Sequence, residues 1–222
     1  MNLTKKKRKN KKHCIIATVG ASSLHQQWIK GENAFDLHLI VYDDSYELFK
    51  LDTPFITVGT GNKFKLIYNY LKNNERLIDQ YDFFYMPDDD ISIDQNNIQK
   101  LFDFMENYEL DLAQPAIANS YFSHPHTLRK ANSLIRFTNF VEIMQPCFSR
   151  DALRKVLHTF NESKSGWGLD FHWGIIVNYT EFNMAIIDDI YSLHTRPVQS
   201  SNHQEMLDYM KKYNLSFKIY ST

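Results

Sequence analysis

The chain has 222 residues, of which 43% are hydrophobic and 23% are charged, and its mean hydropathy is -0.44. This composition fits one compact domain and excludes both a disordered chain and a membrane-embedded one, because no apolar run approaches the roughly 20 residues that cross a bilayer. The net charge of -1 conceals an asymmetry: residues 1–12 carry seven Lys and Arg side chains, whereas the rest of the chain holds 18 basic and 26 acidic groups.

This charge distribution predicts a disordered basic tail over residues 1–12 and one domain over residues 13–222. The acidic domain is a poor surface for nucleic acid, so we expect no nucleic-acid partner. The tail could make weak membrane-surface contact by attracting anionic lipid headgroups, although a solvated tail explains the same charges. Cys14 and Cys147 lie in apolar runs, and the first residues lack the apolar region of a secretory signal. We therefore expect a cytoplasmic protein, with or without peripheral contact with a membrane.

The first half of the chain alternates apolar runs with helical patterns. Strands are predicted at four apolar runs, residues 13–19, 35–42, 55–58 and 82–86. One helix is predicted over residues 62–74, and a second follows Asp94, which we expect to act as its N-cap. This alternation predicts an α/β fold in which helices flank a largely parallel sheet and the loops at the carboxyl ends of the strands form the site.

The second half of the chain breaks this alternation. Short β-like stretches at residues 112–115, 134–140 and 141–146 predict a mixed second half of the sheet. Helices are predicted after Ser149, over residues 171–179 and around residues 204–213. A last strand is predicted at residues 184–188, ending just before His194.

The first motif with chemical content is Met-Pro-Asp-Asp-Asp at residues 86–90, directly after a very apolar strand. In an extended chain alternate residues point the same way, about 6.6 Å apart, so Asp88 and Asp90 can face one ligand while Asp89 turns away. Carboxylates packed this closely repel one another, and a hard divalent cation such as Mg²⁺ or Mn²⁺ compensates the repulsion. The alternative is an acidic turn that caps the following helix.

The second motif is Gly-Trp-Gly-Leu-Asp at residues 166–170. Two glycines around Trp167 give a flexible loop that presents an aromatic face together with the Asp170 carboxylate, which suits a sugar ring and a hydroxyl proton. A turn with Trp167 in the core and Asp170 as a helix cap explains the same residues. His194 follows the last predicted strand and could complete a metal site, although a lone histidine is more often structural or exposed.

In this order along the chain, the motifs resemble those of a known enzyme class. The strand followed by Asp88, Asp89 and Asp90 resembles the DxD motif of GT-A fold glycosyltransferases. The loop at residues 166–170 is similar to the Trp-Gly-Trp-Gly-Gly-Glu-Asp loop of metazoan β-1,4-galactosyltransferases. With residues 140–149 and His194, the set looks like a poorly characterised family of GT-A-like proteins of plants, bacteria and large DNA viruses, over roughly residues 13–198.

The resemblance implies a single GT-A (Rossmann-like) domain with a mixed, mostly parallel central sheet. It implies a metal-dependent glycosyltransferase of the hexosyltransferase type, which uses Mn²⁺ or Mg²⁺ and moves a sugar from a nucleoside diphosphate sugar, here a UDP-sugar, to a hydroxyl of a glycan. A sugar-nucleotide hydrolase and a non-catalytic carbohydrate-binding relative remain as alternatives, because fold alone does not fix function.

The resemblance also assigns residues to the donor. Thr18 and Asp43 would lie near the base and ribose, and Lys63 or Lys65 would neutralise phosphate or contact the sugar, although a solvated helix face explains a lysine equally well. The acidic triplet and His194 complete the donor and metal residues. Asp88 would lie near the ribose or the metal, Asp89 would contact the donor, and Asp90 and His194 would bind the metal.

On the acceptor side, the resemblance makes Asp170 the catalytic residue. If the reaction inverts, Asp170 removes the acceptor proton, and if it retains configuration, Asp170 orients donor or acceptor hydroxyls. Gly166 and Trp167 would shape the acceptor floor, with Glu142 as a further acceptor contact. The galactosyltransferase loop carries a Glu-Asp pair, whereas Leu169 precedes a single Asp170 here.

Overall fold

The computed structural model describes residues 11–32, 34–118, 120–198 and 203–222. Most of the predicted basic tail, residues 1–10, therefore lies outside the described residues. Within the described ranges, none of the helices combines the length and the apolar character that a membrane crossing requires.

Nine strands are described in the chain. They are β1 (His13–Val19), β2 (Phe35–Val41), β3 (Phe55–Val58), β4 (Phe83–Tyr85), β5 (Ile91–Ser92), β6 (Leu112–Ile117), β7 (Ile135–Phe137), β8 (Cys147–Ser149) and β9 (Met184–His194). The described α-helices are α1 (Tyr46–Phe49), α2 (Lys63–Asn73), α3 (Leu77–Gln80), α4 (Gln95–Asn107), α5 (Arg150–Val156), α6 (Leu169–Val177) and α7 (His203–Lys212).

The described strands form one sheet in the order β3-β2-β1-β4-β8-β6-β9-β5, with β7 paired to β9. Strands β1 to β4 are parallel to one another, β8 is antiparallel to both β4 and β6, and β6 is parallel to β9. Strands β1, β2, β3, β4, β6 and β9 therefore run in one direction, and β5, β7 and β8 run against it. The predicted α/β fold with a mixed, mostly parallel sheet is confirmed.

Alternation along the strands divides the core into two layers. On β1, Cys14 and Ile16 pack with helices α2, α3, α5 and α6, whereas Ile15, Ala17 and Val19 pack with α4 on the opposite face. Successive side chains of a strand point to opposite faces, and both faces of this strand are buried. A continuous apolar run in the sequence is the result.

The helix starts follow the predicted caps. The Asp94 side chain accepts a hydrogen bond of 2.9 Å from the backbone N–H of Asn97, and Ser149 Oγ accepts one of 3.1 Å from Ala152 N. These side-chain oxygens satisfy backbone donors that have no partner in the first helical turn.

Two strand predictions were wrong. Residues 141–146 form no strand; the segment lies beside the acidic loop, where Pro146 O accepts from Met86 N and Met144 O accepts from Asp88 N, each at 2.8 Å. The last strand does not stop at residue 188, because Ile91 of β5 pairs with His194 and extends β9 to that histidine.

The common direction of the strands decides where the site lies. The carboxyl ends of parallel strands meet at one edge of the sheet, which is where open α/β sheets bind ligands. The chain leaves β1 at Gly20, β2 at Tyr42, β4 at Met86 and β9 at Thr195. The acidic loop and the late histidine therefore meet at one edge although more than 100 residues separate them.

Candidate functional site

A cavity of about 300 Å³ opens at this edge of the sheet. Two sets of titratable groups line it: Asp88, Asp90 and His194, which we call the donor side, and Glu142 and Asp170, which we call the acceptor side. The remaining described residues that line it are Ser123, His124, Ile143, Met144, Trp167, Gly168, Arg196, Pro197, Val198 and Met206. Six residues predicted for the metal, the acceptor and catalysis thus share one cavity: Asp88, Asp90, Glu142, Trp167, Asp170 and His194.

Asp90 and His194 are in direct contact, with 3.2 Å between Asp90 Oδ2 and His194 Nε2. Both side chains are buried, and Asp90 Oδ1 and His194 Nδ1 have no hydrogen-bond partner. Thr195 holds the two chain segments together, because its N–H and hydroxyl both donate to the Asp90 carbonyl, at 3.1 and 2.8 Å. This predicted long-range pair therefore has a fixed backbone and two unsatisfied ligand atoms.

The electrostatics of the pair favour an ionised carboxylate. Burial alone would raise the pKa of Asp90, but the hydrogen bond and charge of His194 lower it below the ordinary value. Burial opposes protonation of His194, yet the hydrogen bond to Asp90 and the negative charges of Asp90, Asp88 and Glu142 together outweigh it and raise the pKa of the histidine. A cation would replace the proton that the imidazole shares with the carboxylate.

Asp88 turns away from this pair toward a lysine. Lys63 Nζ donates to Asp88 Oδ1 at 2.7 Å, to Ile143 O at 2.8 Å and to Met144 O at 3.0 Å. Across the described part of the chain, no group of three or more His, Cys, Asp and Glu side chains is arranged to hold a metal ion. The predicted set of Asp88, Asp90 and His194 is thus not preformed as a three-ligand site.

Lys63 is expected to contact phosphate, but in the structure its ammonium contacts Asp88 and two backbone carbonyls instead. The Lys63 ammonium is fully engaged by a carboxylate and two backbone carbonyls, and burial lowers its pKa. Lys65, the other lysine considered, is exposed. In this conformation Lys63 positions Asp88 and links the acidic loop to residues 143–144.

We expect Lys63→Met to lower the free energy of unfolding by about 1–2 kcal/mol, because the half-exposed Asp88 carboxylate and two backbone carbonyls lose a charged donor. Thermal or denaturant unfolding measures the change. Lys65→Met is the matched control, since it removes a lysine from the same helical turn at an exposed position and should change stability by less than about 0.5 kcal/mol. Equal effects of the two substitutions would contradict this role of Lys63.

Asp89 is buried and bonds to residues that follow three other strands. Its carboxylate accepts from Gly20 N at 3.0 Å, Tyr42 Oη at 2.8 Å and the Arg196 guanidinium at 3.0 Å. These three groups follow β1, β2 and β9, so the side chain that was predicted to turn away ties the strand ends together. Its expected contact with the donor would compete with these bonds.

Thr18 and Asp43, expected near the base and ribose, lie outside the cavity lining. Thr18 is buried near the end of β1. Asp43 is exposed and stabilises its own turn: it accepts from Ser45 Oγ, from Ala21 N at 2.8 Å and from Ser45 N at 3.0 Å, and these bonds lower its pKa. The Tyr42 ring packs directly against Gly20. A Cβ on this glycine would lie only 2.5 Å from Tyr42 Oη.

The tryptophan loop depends on both of its glycines. Gly166 and Gly168 have φ angles of 86° and 95°, which side chains rarely adopt, and a Cβ on Gly166 would lie 2.7 Å from the Phe64 ring. Trp167 lines the cavity and is half-buried, so it is neither wholly core nor free. Gly168 is the N-cap of α6, which places Asp170 inside the first turn rather than at the cap.

Two buried carboxyl groups face the cavity from its other side. Glu142 is 2% exposed and Asp170 is 4% exposed. Burial raises the pKa of Glu142 to about 7, and burial together with the charge of Glu142 raises the pKa of Asp170 to about 8. A carboxyl group with a pKa near neutrality can exchange a proton with a bound hydroxyl, which is the property of a general base or acid.

Sequence reasoning missed Arg196, which lines the cavity and donates to Asp89 and to Ser22. The available signal for Arg196 was its position two residues after the candidate ligand His194. Ser123 and His124 line the cavity through the loop between β6 and β7. The sequence predicts them only as part of a polar, His-rich loop at residues 119–130 that closes over the donor.

Comparison with known proteins gives a family and a fold. The family model described as "Protein of unknown function (DUF707)" matches residues 2–139 and 135–219. No curated protein matches the chain. Solved structures of S. aureus TarS are similar: one at 12% identity and a TM-score of 0.61, covering 90% of this chain and 38% of that one.

A second structure, S. aureus TarS 1-349 in complex with UDP-GlcNAc, has 11% identity and a TM-score of 0.61 and covers 90% of this chain and 65% of that one. A third, the same fragment in complex with UDP, has 10% identity, a TM-score of 0.54 and coverages of 93% and 67%. The chain thus spans less than two thirds of the first two structures. At these identities the likeness shows the fold, and the expected GT-A fold is confirmed.

Proposed function

The chain belongs to the DUF707 family, and from the geometry of its cavity we propose that it is a metal-dependent glycosyltransferase of the hexosyltransferase type, which moves a sugar from a UDP-sugar to a hydroxyl of a glycan. One observation carries the proposal. A buried Asp90–His194 pair with unsatisfied ligand atoms shares a single cavity with the buried carboxyls Glu142 and Asp170. The similar TarS structures that hold UDP-GlcNAc and UDP support a nucleotide-sugar donor.

The donor side of the cavity fits a hard cation. Asp90 and His194 would hold Mn²⁺ or Mg²⁺, with Asp88 beside them and diphosphate oxygens as further ligands, since such ions commonly combine one or two carboxylates with substrate phosphates. When bound, the ion stabilises the negative charge that develops on the departing diphosphate. We assign Asp88, which lines the cavity, and Asp89, Thr18 and Asp43, which lie outside its lining, to the nucleoside end of the donor.

Arg196 bounds the donor side of the cavity with a permanent positive charge. Its side chain is 39% exposed, so N–H groups of the guanidinium remain within reach of a diphosphate while Asp89 and Ser22 orient it. We assign Arg196 to charge stabilisation of the leaving group.

The acceptor side supplies the base. We assign to Asp170 the removal of the proton from the attacking hydroxyl, which is the chemistry of an inverting transfer. The base must be ionised to act, and its pKa of about 8 in the free protein predicts a kcat/KM that rises with pH and levels off above about 8. Trp167 forms the floor on which the acceptor sugar lies, and Gly166, outside the cavity lining, gives the loop the turn that presents Trp167.

A thermal-shift screen tests the proposal. UDP, UDP-glucose, UDP-galactose and UDP-GlcNAc are added with Mn²⁺ or with EDTA, because a ligand that binds only the native state raises the melting temperature. We expect a shift with at least one UDP compound that depends on Mn²⁺. Equal shifts of the melting temperature with Mn²⁺ and with EDTA would contradict the metal dependence. The absence of a shift with every UDP compound would overturn the proposal. UDP release without an added acceptor would instead indicate a sugar-nucleotide hydrolase.

A further inference from the structure

The acceptor end of the cavity combines an aromatic wall with two carboxyl groups. Trp167 and His124 stand beside Met206, and Glu142 and Asp170 provide the polar atoms. The wall is nearly fixed, because the His124 ring packs edge-on against Phe140 and Phe171 at 4.6 and 5.9 Å between ring centroids. A sugar presents an apolar C–H face and hydroxyl groups, and the two kinds of surface in this end of the cavity match them.

Glu142 lines the cavity and has a buried carboxylate oxygen without a hydrogen-bond partner. The hydroxyl of Ser123 hydrogen-bonds to the carboxyl group, but Oε2 has no partner and the side chain is 2% exposed. A buried polar atom without a hydrogen bond is costly, and a ligand that donates to it removes the cost. The acceptor should therefore bring a hydroxyl to Glu142 as well as the reacting hydroxyl to Asp170.

The described residues at this end of the cavity supply no free positive charge. Among the described residues that line the cavity, Arg196 is the sole Lys or Arg, and it is directed to Asp89 and Ser22. The neighbouring Lys63 is held by Asp88 and two carbonyls. Burial lowers the pKa of His124, which leaves that imidazole neutral. A phosphate or carboxylate placed here would lose its hydration and meet carboxyl groups without a compensating cation.

We propose that the acceptor is an uncharged sugar, which lies against Trp167 and gives one hydroxyl to Glu142 and its reacting hydroxyl to Asp170, and that phosphorylated and uronic-acid glycans are excluded. This inference rests on the proposed function of the same site. It specifies the chemical class of the acceptor, which neither the fold nor the donor determines. Glu142 acts as the residue that selects against negative charge.

Ligand-observed NMR on the full chain loaded with UDP and the diamagnetic ion Mg²⁺ tests the inference, at pH 8.5, where Glu142 with its pKa of about 7 is ionised. The probes are the methyl glycosides of glucose, galactose, mannose and N-acetylglucosamine, the 6-phosphates of the same sugars, and methyl glucuronide and galacturonide. We expect at least one neutral glycoside to bind, and its charged counterpart to bind about tenfold more weakly or worse. Glu142→Gln should narrow this ratio, because it removes the negative charge and keeps the size of the side chain.

Glu106→Gln is the matched control, because Glu106 is an exposed glutamate on α4 outside the cavity and its substitution should leave the ratio unchanged. Binding of UDP is measured in the same samples. Equal or tighter binding of the charged sugars, binding of no neutral glycoside, or a ratio that Glu142→Gln does not move would overturn the inference while UDP binding persists. Loss of UDP binding in the unmodified protein would instead overturn the proposed function.

Discussion

Replacing Asp170 with asparagine is expected to lower the rate of sugar transfer by roughly 10²- to 10⁴-fold, because a general base supplies an acceleration of that size. Binding of UDP should remain, since Asp170 lies on the acceptor side of the cavity and the ligand atoms of Asp90 and His194 are untouched. Initial rates with saturating donor, together with calorimetry of UDP binding, separate the two effects.

The same substitution has a signature in stability. The pKa of Asp170 is raised from 3.8 to about 8 in the fold, so the folded state retains a proton that the unfolded chain releases. The stabilisation from this proton is complete below about pH 4 and is lost as the pH rises through about 8. The melting temperature of Asp170→Asn should therefore fall less over this range than that of the unmodified protein. If Asp170→Asn turns over normally, Asp170 is not the general base and has only a structural role in the first turn of α6.

Asp90→Asn is expected to weaken the Mn²⁺-dependent binding of UDP by on the order of 100-fold, because a neutral amide replaces the carboxylate that a hard cation requires. The fold should persist. The backbone carbonyl of residue 90 still accepts from Thr195, and the amide oxygen can still accept from His194. Isothermal calorimetry with Mn²⁺ and with EDTA measures the effect.

Asp103→Asn is the control for this loss of charge, since Asp103 is exposed on α4 and interacts with Gln99 on its own helix. It should leave UDP affinity unchanged. If Asp90→Asn binds UDP with Mn²⁺ as tightly as this control does, Asp90 is not a ligand of the ion.

The parts of the fold that could be predicted from sequence are those governed by local rules. The strands at residues 13–19 and 55–58 match β1 and β3 residue for residue, because each is a continuous apolar run closed by a glycine-containing loop. The caps Asp94 and Ser149 were equally readable, since a short polar side chain before an amphipathic run is a local signal. The acidic loop was identifiable for the same reason.

The features of the fold that could not be predicted from sequence depend on contacts between residues far apart in the chain. The register of Ile91 with His194 extends β9 into the site, and nothing in residues 184–194 alone shows where that strand ends. Residues 141–146 are apolar enough for a strand but serve as the wall beside the acidic loop. The partners of buried charges were also hidden: a lysine that opens a helix looks solvated until the fold places Asp88 against it.

The site itself was predictable in its residue types and less so in its connections. Asp90 and His194 are predicted to bind one metal ion, and in the structure Asp90 Oδ2 and His194 Nε2 lie 3.2 Å apart. Asp88 was grouped with them and instead bonds to Lys63, while Asp89 bonds to Arg196. Which of three adjacent carboxylates faces a lysine, an arginine or a histidine depends on the ends of other strands, and this information is not local.

The most direct test of the account is electron paramagnetic resonance of Mn²⁺ titrated into the protein with UDP, because the hydrated ion and the protein-bound ion give distinguishable spectra. We expect one bound ion per chain in the presence of UDP, and we expect His194→Ala to lose this bound ion. A spectrum that stays that of the free hydrated ion, while calorimetry shows UDP bound with equal affinity in EDTA, would contradict the claim that Asp90 and His194 gather a cation for the diphosphate.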